Sequence, residues 1–250
     1  MQTSGNTIVI TGGGSGIGRA LAEAFHALDN KVIIAGRRKN ALDETTRAHP
    51  GMSSMVLDIE DPAAIKAFAT EVVKAHPSVN VLINNAGIMR AETLTEQTDL
   101  GDVEATITTN LLGPIRLITA LLPALKKQPR STIMTVSSGL AFVPLAMTPT
   151  YSATKAAVHS YTQSLRHQLK GTSVEVVELV PPAVQTELMP GQDKSPHAMP
   201  LADYISEVMS IVKAKPDAAE ICVERVNFLR LAEAQGRFDQ TFDALNQARR

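Results

Sequence analysis

A glycine-rich turn between a strand and a helix, close to the first residue, constrains the fold of this chain more than any other feature. Thr7–Thr11 is a β-branched run typical of a buried parallel strand, and the turn Gly12-Gly13-Gly14-Ser15-Gly16-Ile17-Gly18 leads from it into helical periodicity over 19–28. Glycines let the backbone approach a pyrophosphate, and N–H groups at a helix start attract the anion. The spacing G-x-x-x-G-x-G differs from the usual G-x-G-x-x-G, so a plain glycine turn is the alternative.

Strand and helix patterns then alternate along the chain. Further strands are predicted at 31–35, 52–57, 79–83, 131–136, 174–179 and 219–223, and further helices at 40–49, 62–76, 102–127, 151–169 and 201–214. No repeat or break in composition interrupts them. The alternation predicts a single α/β domain over residues 1–250, a Rossmann-type doubly wound parallel sheet of about seven strands with helices on both faces.

The end of the second strand bears on the choice of dinucleotide. Sites that take NAD usually carry an acid there, which binds the ribose 2′-hydroxyl. Here Gly36 is followed by Arg37 and Arg38, so no acid repels a phosphate and two guanidinium groups are able to bind one. The pattern favours NADP(H) over NAD(H), and a solvated basic helix start is the alternative for either arginine.

Tyr151-Ser152-Ala153-Thr154-Lys155 opens an alanine-rich helix and is the candidate for acid–base chemistry. Residues four apart lie on one helical face, with Cβ atoms about 5–6 Å apart. We expect the Lys155 ammonium to favour the phenolate and lower the pKa of Tyr151 below its usual value of about 10. A tyrosine tuned in this way exchanges protons near neutral pH. Taken alone, this spacing is weak evidence, since it more often marks an ordinary surface pair on a helix.

Composition and charge exclude several other classes of protein. The net charge of −1, from 24 basic and 25 acidic residues, indicates no attraction to nucleic acid or an anionic membrane. No apolar run reaches the roughly 18 residues that span a bilayer, and residues 1–6 show no signal-peptide pattern, so a cytoplasmic protein is expected. One cysteine excludes an internal disulfide, and the six histidines have no metal-binding spacing, so no metal is expected.

Two later segments have a composition that is typical of segments covering an active site. Residues 181–200 are rich in proline, and residues 182–215 are predicted to form a substrate lid, with Tyr204 as a candidate lid residue. Residues 224–250 form a predicted helical, amphipathic tail. That tail either caps the substrate pocket or joins a contact between subunits.

A set of short motifs occurs in a fixed order over roughly residues 5–190. The set comprises the glycine loop from Thr11 to Gly18, Asp58, Asn84-Asn85-Ala86-Gly87, Asn110, Ser138, Tyr151-x-x-x-Lys155 and Pro181-x-x-Val184-x-Thr186. In this order and at these spacings the chain resembles the short-chain dehydrogenase/reductase superfamily. The segments Pro181-Pro182-Ala183-Val184-Gln185-Thr186-Glu187-Leu188 and Gly236-Arg237-Phe238-Asp239 are similar to a bacterial oxidoreductase branch named for its association with teichoic-acid D-alanylation.

The resemblance implies which residues hold the cofactor. It implies that the glycine loop binds the phosphates and that Asp58 binds the adenine amino group. Residues 85–87 are expected to contact the adenosine ribose, and Val184 and Thr186 to bind the nicotinamide carboxamide. Asn84 is expected to brace the central sheet. The complete expected set is Gly12, Ser15, Gly16, Ile17, Gly18, Arg37, Arg38, Asp58, Ile59, Asn85, Ala86, Gly87, Tyr151, Lys155, Pro181, Val184 and Thr186.

The resemblance also implies four catalytic residues. Tyr151 is expected to donate the proton, Ser138 to hydrogen-bond the substrate oxygen, and Lys155 to lower the tyrosine pKa while gripping the nicotinamide ribose. Asn110 is expected to hold a water that links Lys155 to solvent. The sequence departs from the family at Pro182, where glycine is usual, and at Ser15, where NADP-dependent members often carry a basic residue.

Together these patterns predict an NADP(H)-dependent carbonyl reductase or alcohol dehydrogenase acting on a small hydrophobic ketone or secondary alcohol. Leu140, Phe142, Val143, Leu145 and Met147 follow Ser138 and suggest an apolar pocket. The alternatives are an NADP(H)-binding regulator without turnover and an enzyme for another substrate class, such as acyl-carrier thioesters. By resemblance the chain forms a homotetramer or homodimer through its two long helices.

Overall fold

One parallel sheet of seven strands organises the computed structural model, which describes residues 1–95 and 100–247. The strands are β1 (Thr7–Thr11), β2 (Lys31–Gly36), β3 (Ser53–Val56), β4 (Val81–Asn84), β5 (Ser131–Val136), β6 (Val174–Val180) and β7 (Glu220–Cys222). Their order across the sheet is β3-β2-β1-β4-β5-β6-β7, with every neighbouring pair parallel. From β1 to β3 the chain adds strands on one side of β1, and from β4 onward it adds them on the other side. This switch point is typical of a Rossmann-type sheet, so the predicted fold is confirmed.

Helices cover both faces of this sheet. They are α1 (Gly16–His26), α2 (Lys39–Ala48), α3 (Pro62–Ala75), α4 (Leu100–Ile107), α5 (Gly113–Leu125), α6 (Pro149–Gln168), α7 (Leu201–Ala214), α8 (Asn227–Arg230) and α9 (Phe238–Gln247). Because successive strand residues point to opposite faces, Ile8 and Ile10 of β1 enter one apolar core and Val9 enters the other. The sheet is therefore buried on both sides, as a parallel sheet must be.

The long helix predicted at 102–127 contains a π-helical turn at Thr108–Leu112, which separates α4 from α5. The break has a covalent cause. Pro114 has no N–H, so it cannot donate the α-helical hydrogen bond to the carbonyl of Asn110. The helix is wider at that point, and Asn110 lies within the widened turn.

By length and composition alone, the continuous helical run Leu100–Leu125 is apolar enough to cross a membrane, and 44% of its most apolar window is buried inside the protein. Leu117, Ile118, Leu121 and Leu125 pack in the core shared with α3 and α6. Packing against the sheet accounts for the apolar character of this inner face.

The predicted lid divides into two parts. The first is irregular and is held by a bridge between Val184 and Met199. The second is α7, whose Tyr204 is fully buried in the core, so its assignment as a candidate lid residue is wrong. The predicted tail forms α8 and α9, which are separated by a turn at Gly236 with φ of 64°. Its last residues, 248–250, lie outside the described residues.

Candidate active site

A cleft of about 420 Å³ runs along the carboxyl edge of the sheet. Strand ends and the loops after them form its wall, which is where parallel sheets of this topology bind ligands. Most residues expected at the site line it: Gly12, Ser15, Gly16, Ile17, Arg37, Arg38, Ile59, Asn85, Ala86, Gly87, Ser138, Tyr151, Lys155, Pro181, Val184 and Thr186. The fold therefore gathers residues that are up to 174 positions apart in the sequence, from Gly12 to Thr186.

Gly18, Asp58 and Asn110 do not form part of this wall. Gly18 lies behind the glycine loop, where an added Cβ would come within 2.4 Å of the Gly12 carbonyl oxygen. Asp58 accepts a hydrogen bond from the Glu60 backbone N–H at 3.0 Å. Gly18 thus serves the packing of the loop, and Asp58 stabilises the turn after β3 from an exposed position.

The glycine loop is tied to the strand that follows α3. Thr11 Oγ1 accepts the backbone N–H groups of Asn85 and Ala86, both at 3.0 Å, and the Asn85 amide donates to the Thr11 carbonyl oxygen at 3.0 Å. Gly12 itself has φ of 69°, a conformation that favours glycine. These contacts fix the relative positions of the two loops across the switch point of the sheet.

The two arginines after β2 have different partners. Arg38 Nη2 donates to Ser15 Oγ at 2.8 Å and so reaches the glycine loop. Arg37 Nη1 instead forms an ion pair with Glu60 Oε1 at 3.0 Å. Sequence reasoning missed Glu60, because it recognised acids only at the end of β2, and Glu60 comes from the end of the neighbouring strand β3.

Tyr151, Ser138 and Lys155 lie together at the opposite end of the cleft, and all three are at least nine-tenths buried. Burial raises the pKa of Tyr151 to about 12, and a hydrogen bond with the Ser138 hydroxyl partly opposes the rise. The prediction of a lowered tyrosine pKa is therefore wrong for this structure. The Lys155 ammonium is 5.5 Å from the tyrosine ring centroid and donates to the Val136 carbonyl oxygen at 2.8 Å.

Lys155 is itself shifted by its surroundings. Burial lowers the pKa of its ammonium from 10.5 to about 8. Asn110, from the π-helical turn, accepts the Ile88 N–H at 2.9 Å and donates to the Ile88 carbonyl oxygen at 2.8 Å. Its amide also donates to Thr154 Oγ1 at 3.3 Å. These hydrogen bonds brace the loop after β4 against α6, and the water-holding role of Asn110 stays a prediction.

Apolar side chains surround the tyrosine. Tyr151 packs in one cluster with Met89 and Leu145, and the partly buried Leu140, Leu188, Met189 and Leu245 pack against them. Leu245 comes from α9, so the tail reaches the apolar cluster around Tyr151. Met89 and Arg90 also line the cleft and were missed. A signal for them was present, since they directly follow the Asn84–Gly87 motif.

Three residues with metal-ligating side chains meet at the edge of the sheet, and their ligand atoms lie within 4.8 Å of one another: His159, Glu178 and Glu220. The protein's own donors already contact them. His159 Nδ1 is 2.8 Å from Glu178 Oε2, and Arg230 binds Glu220 with two bonds of 2.8 and 3.0 Å. Arg230 and His159 also pack against the Phe142 ring, at 4.4 and 4.7 Å. This network holds the loop after Ser138.

The cleft has the features that a dinucleotide requires. Its volume falls in the range of small-molecule sites, roughly 300–1,000 Å³. Gly16 and Ile17, the first residues of α1, line it, and helix N-termini attract phosphate. Gly16 has φ of 52°, and Thr186 is within 3.4 Å of the position that its Cβ would take, so the loop passes close to the opposite wall. The residues present therefore fit such a cofactor.

A Rossmann-type sheet with this cleft and a buried tyrosine, serine and lysine defines a class of dinucleotide-binding oxidoreductases. The model of the short chain dehydrogenase family matches residues 6–196. The chain belongs to this family, so it is an oxidoreductase that uses a nicotinamide dinucleotide.

Individual proteins support the same assignment. The chain is 38% identical, over 98% of both sequences, to the uncharacterized oxidoreductase DltE of Bacillus subtilis. Its fold matches a short-chain dehydrogenase from Burkholderia cenocepacia in complex with NADP, with a TM-score of 0.82, 25% identity and 98% of each chain covered. It also matches the closed form of a serine dehydrogenase complexed with NADP+, with a TM-score of 0.75 and 26% identity over 82% of this chain and 88% of that one.

Proposed function

We propose that the protein is an NADP(H)-dependent carbonyl reductase, or in reverse an alcohol dehydrogenase, for a small hydrophobic ketone or secondary alcohol. One observation carries the proposal: Tyr151 lies within the cleft wall, hydrogen-bonded to Ser138 and surrounded by apolar side chains. Such a site brings a polar proton donor to an otherwise apolar substrate pocket. Two solved relatives whose names include NADP support the choice of cofactor.

The chain's own residues account for the protein's part in the reaction. When bound, the nicotinamide supplies or accepts the hydride. Because burial keeps the pKa of Tyr151 near 12, its hydroxyl is protonated at neutral pH and can donate to the substrate oxygen. Ser138 hydrogen-bonds the same oxygen and stabilises the charge that develops on it. The positive charge of Lys155, on the next turn of α6, favours the phenolate that is left behind.

The substrate class follows from the wall of the cleft near Tyr151. Met89 and Leu188 line it there and offer dispersion contacts and no hydrogen bonds from their side chains, so binding there depends on apolar area. Arg90 is the polar side chain that lines the cleft next to Met89, and it is half-exposed in an ion pair of 3.5 Å with Asp102. We propose that the protein acts in the cytoplasm as a homotetramer or homodimer.

Turnover tests the proposal. NADPH oxidation is followed at saturating cofactor against a panel of aliphatic and aromatic ketones and aldehydes, with wild type and Tyr151→Phe. Phenylalanine keeps the ring packing and removes only the hydroxyl, so the variant should bind NADPH normally and lose turnover by at least about 10²-fold. Near-normal turnover in Tyr151→Phe would exclude it as the proton donor. NADPH binding without turnover of any carbonyl by wild type would instead favour a regulatory protein.

A further inference from the structure

An acid lies beside the part of the cleft wall formed by Arg37 and Arg38, although the end of β2 itself has none. Glu60, four residues past the last residue of β3, places its carboxylate oxygen Oε1 3.0 Å from the Arg37 guanidinium. It does so because β3 is the neighbour of β2 in the sheet, with Gly36 paired to Val56. The loops after the two strands therefore emerge side by side. An acid near the adenosine end of such a site is the feature that NAD-binding members use.

Glu60 is held in this position by the rest of the protein. The same oxygen, Oε1, accepts a hydrogen bond from the Thr109 hydroxyl at 2.7 Å. The backbone carbonyl oxygen of Glu60 accepts one from Arg116 Nη1 at 3.3 Å. The side chain of Glu60 is 29% exposed, against 53% for Arg37. The carboxylate is thus the more fixed partner, and the arginine is oriented by it.

Because of this ion pair, the two arginines attract a phosphate unequally. Arg38 contacts the neutral Ser15 hydroxyl and keeps its full positive charge at the glycine loop. Arg37 is already paired with a carboxylate, which offsets much of its attraction for another anion. A phosphate that binds Arg37 also approaches the Glu60 carboxylate and is repelled by it. A ribose 2′-hydroxyl carries no charge, so neither the reduced attraction of Arg37 nor the repulsion by Glu60 weakens its binding.

We propose that Glu60 is a specificity-determining residue that restrains the preference of this protein for NADPH and keeps NADH within reach. The inference rests on the proposed function, since it concerns the same cofactor site. Its physical basis is a fixed negative charge beside the cation that would bind the 2′-phosphate. Cofactor selectivity then depends on the balance between Arg37 and Glu60, not on the arginines alone.

Glu60→Gln tests this with little change in shape. The amide oxygen of glutamine can still accept hydrogen bonds from Arg37 and Thr109, so the variant removes charge and keeps geometry. The affinities of NADPH and NADH are measured by the enhancement of their fluorescence on binding, without substrate. The NADPH:NADH affinity ratio should rise roughly threefold to tenfold, mostly through tighter NADPH binding. The gain should shrink as ionic strength rises from about 0.05 to 0.5 M.

Glu71→Gln is the matched control, because it makes the same charge change at an exposed position in the third turn of α3. Its affinity ratio should equal that of wild type. If Glu60→Gln leaves the ratio unchanged, lowers it, or shifts both dinucleotides equally, the role given to Glu60 is wrong. If the wild-type protein binds neither dinucleotide, the proposed function itself fails, which is a different result in the same titration.

Discussion

Tyr151 and Lys155 occupy neighbouring turns of one helix, and burial moves their pKa values in opposite directions. Removing water disfavours the charged form of each group, which is the phenolate for tyrosine and the ammonium for lysine. The tyrosine therefore holds its proton more tightly, with a pKa of about 12, and the lysine holds its proton less tightly, with a pKa of about 8. Both shifts favour neutral side chains in the site.

The lysine shift predicts how stability depends on pH. Below about pH 8 Lys155 is charged in both the folded and unfolded states, and the folded state carries the full cost of burying it. Between about 8 and 10.5 the folded protein releases the proton while the unfolded chain keeps it, so this cost disappears as pH rises. The difference between 10.5 and about 8 corresponds to on the order of 3 kcal/mol.

The free energy of unfolding of wild type should therefore rise between about pH 8 and 10.5, and Lys155→Met should remove most of this rise. Its free energy of unfolding relative to wild type should be most favourable near pH 7 and should decline by on the order of 3 kcal/mol toward pH 10.5. Denaturant unfolding at several pH values measures this, with the exposed Lys170→Met as control. A constant difference across that range would show that the ammonium is not desolvated in the folded state.

Single residues also show what the sequence could and could not predict. Gly12, Ser138, Tyr151 and Lys155 were found because each belongs to a motif whose spacing is visible along the chain. Glu60 has no such motif, and its effect depends on β3 lying next to β2. The sign of the Tyr151 pKa shift was missed for a related reason: helical spacing gives the distance between two side chains, but only the packed fold gives their burial.

The helix α9 is the element whose packing surface the sequence patterns left open. Its Leu245 packs against the cluster around Tyr151. The next residue, Asn246, accepts the Ala146 N–H at 2.7 Å and donates to the Pro144 carbonyl oxygen at 3.3 Å. Helical periodicity predicted an apolar face, but it could not say which surface that face would cover. The structure shows α9 fastened to the loop between Ser138 and α6.

Asn246→Ala should loosen this attachment without touching the cofactor residues. Losing hydrogen bonds worth about 0.5–1.5 kcal/mol each should raise KM for a hydrophobic carbonyl roughly threefold to tenfold. The affinity for NADPH should not change. Gln240→Ala, at an exposed position of the same helix, serves as the control. Equal effects of both substitutions on KM would mean that α9 acts through general stability and not as a wall of the substrate pocket.

Among the residues that the structure describes, the inner side of the helical run from Leu100 to Leu125 packs in the core, and its outer side leaves Leu100, Ile107 and Leu112 exposed by 65%, 38% and 38%. Exposed apolar residues along one element mark a contact surface more often than isolated ones do. This uncovered side supports the proposed homotetramer or homodimer, since a second copy of the helix would present the same surface.

Placing a charge on that side should separate the subunits. A carboxylate at an apolar contact would be desolvated without a partner, so Leu112→Glu should shift the species in solution toward the mass of a single chain. Light scattering after size-exclusion chromatography measures the mass across a range of protein concentrations. Val56→Glu is the control, because Val56 is 59% exposed and belongs to the edge strand β3, not to this helix. If Leu112→Glu and wild type have the same mass at every concentration, subunits do not meet through this helix. If the mass does fall while NADPH binding persists, the dinucleotide site is complete within one chain, as the cleft between the glycine loop and Tyr151 implies.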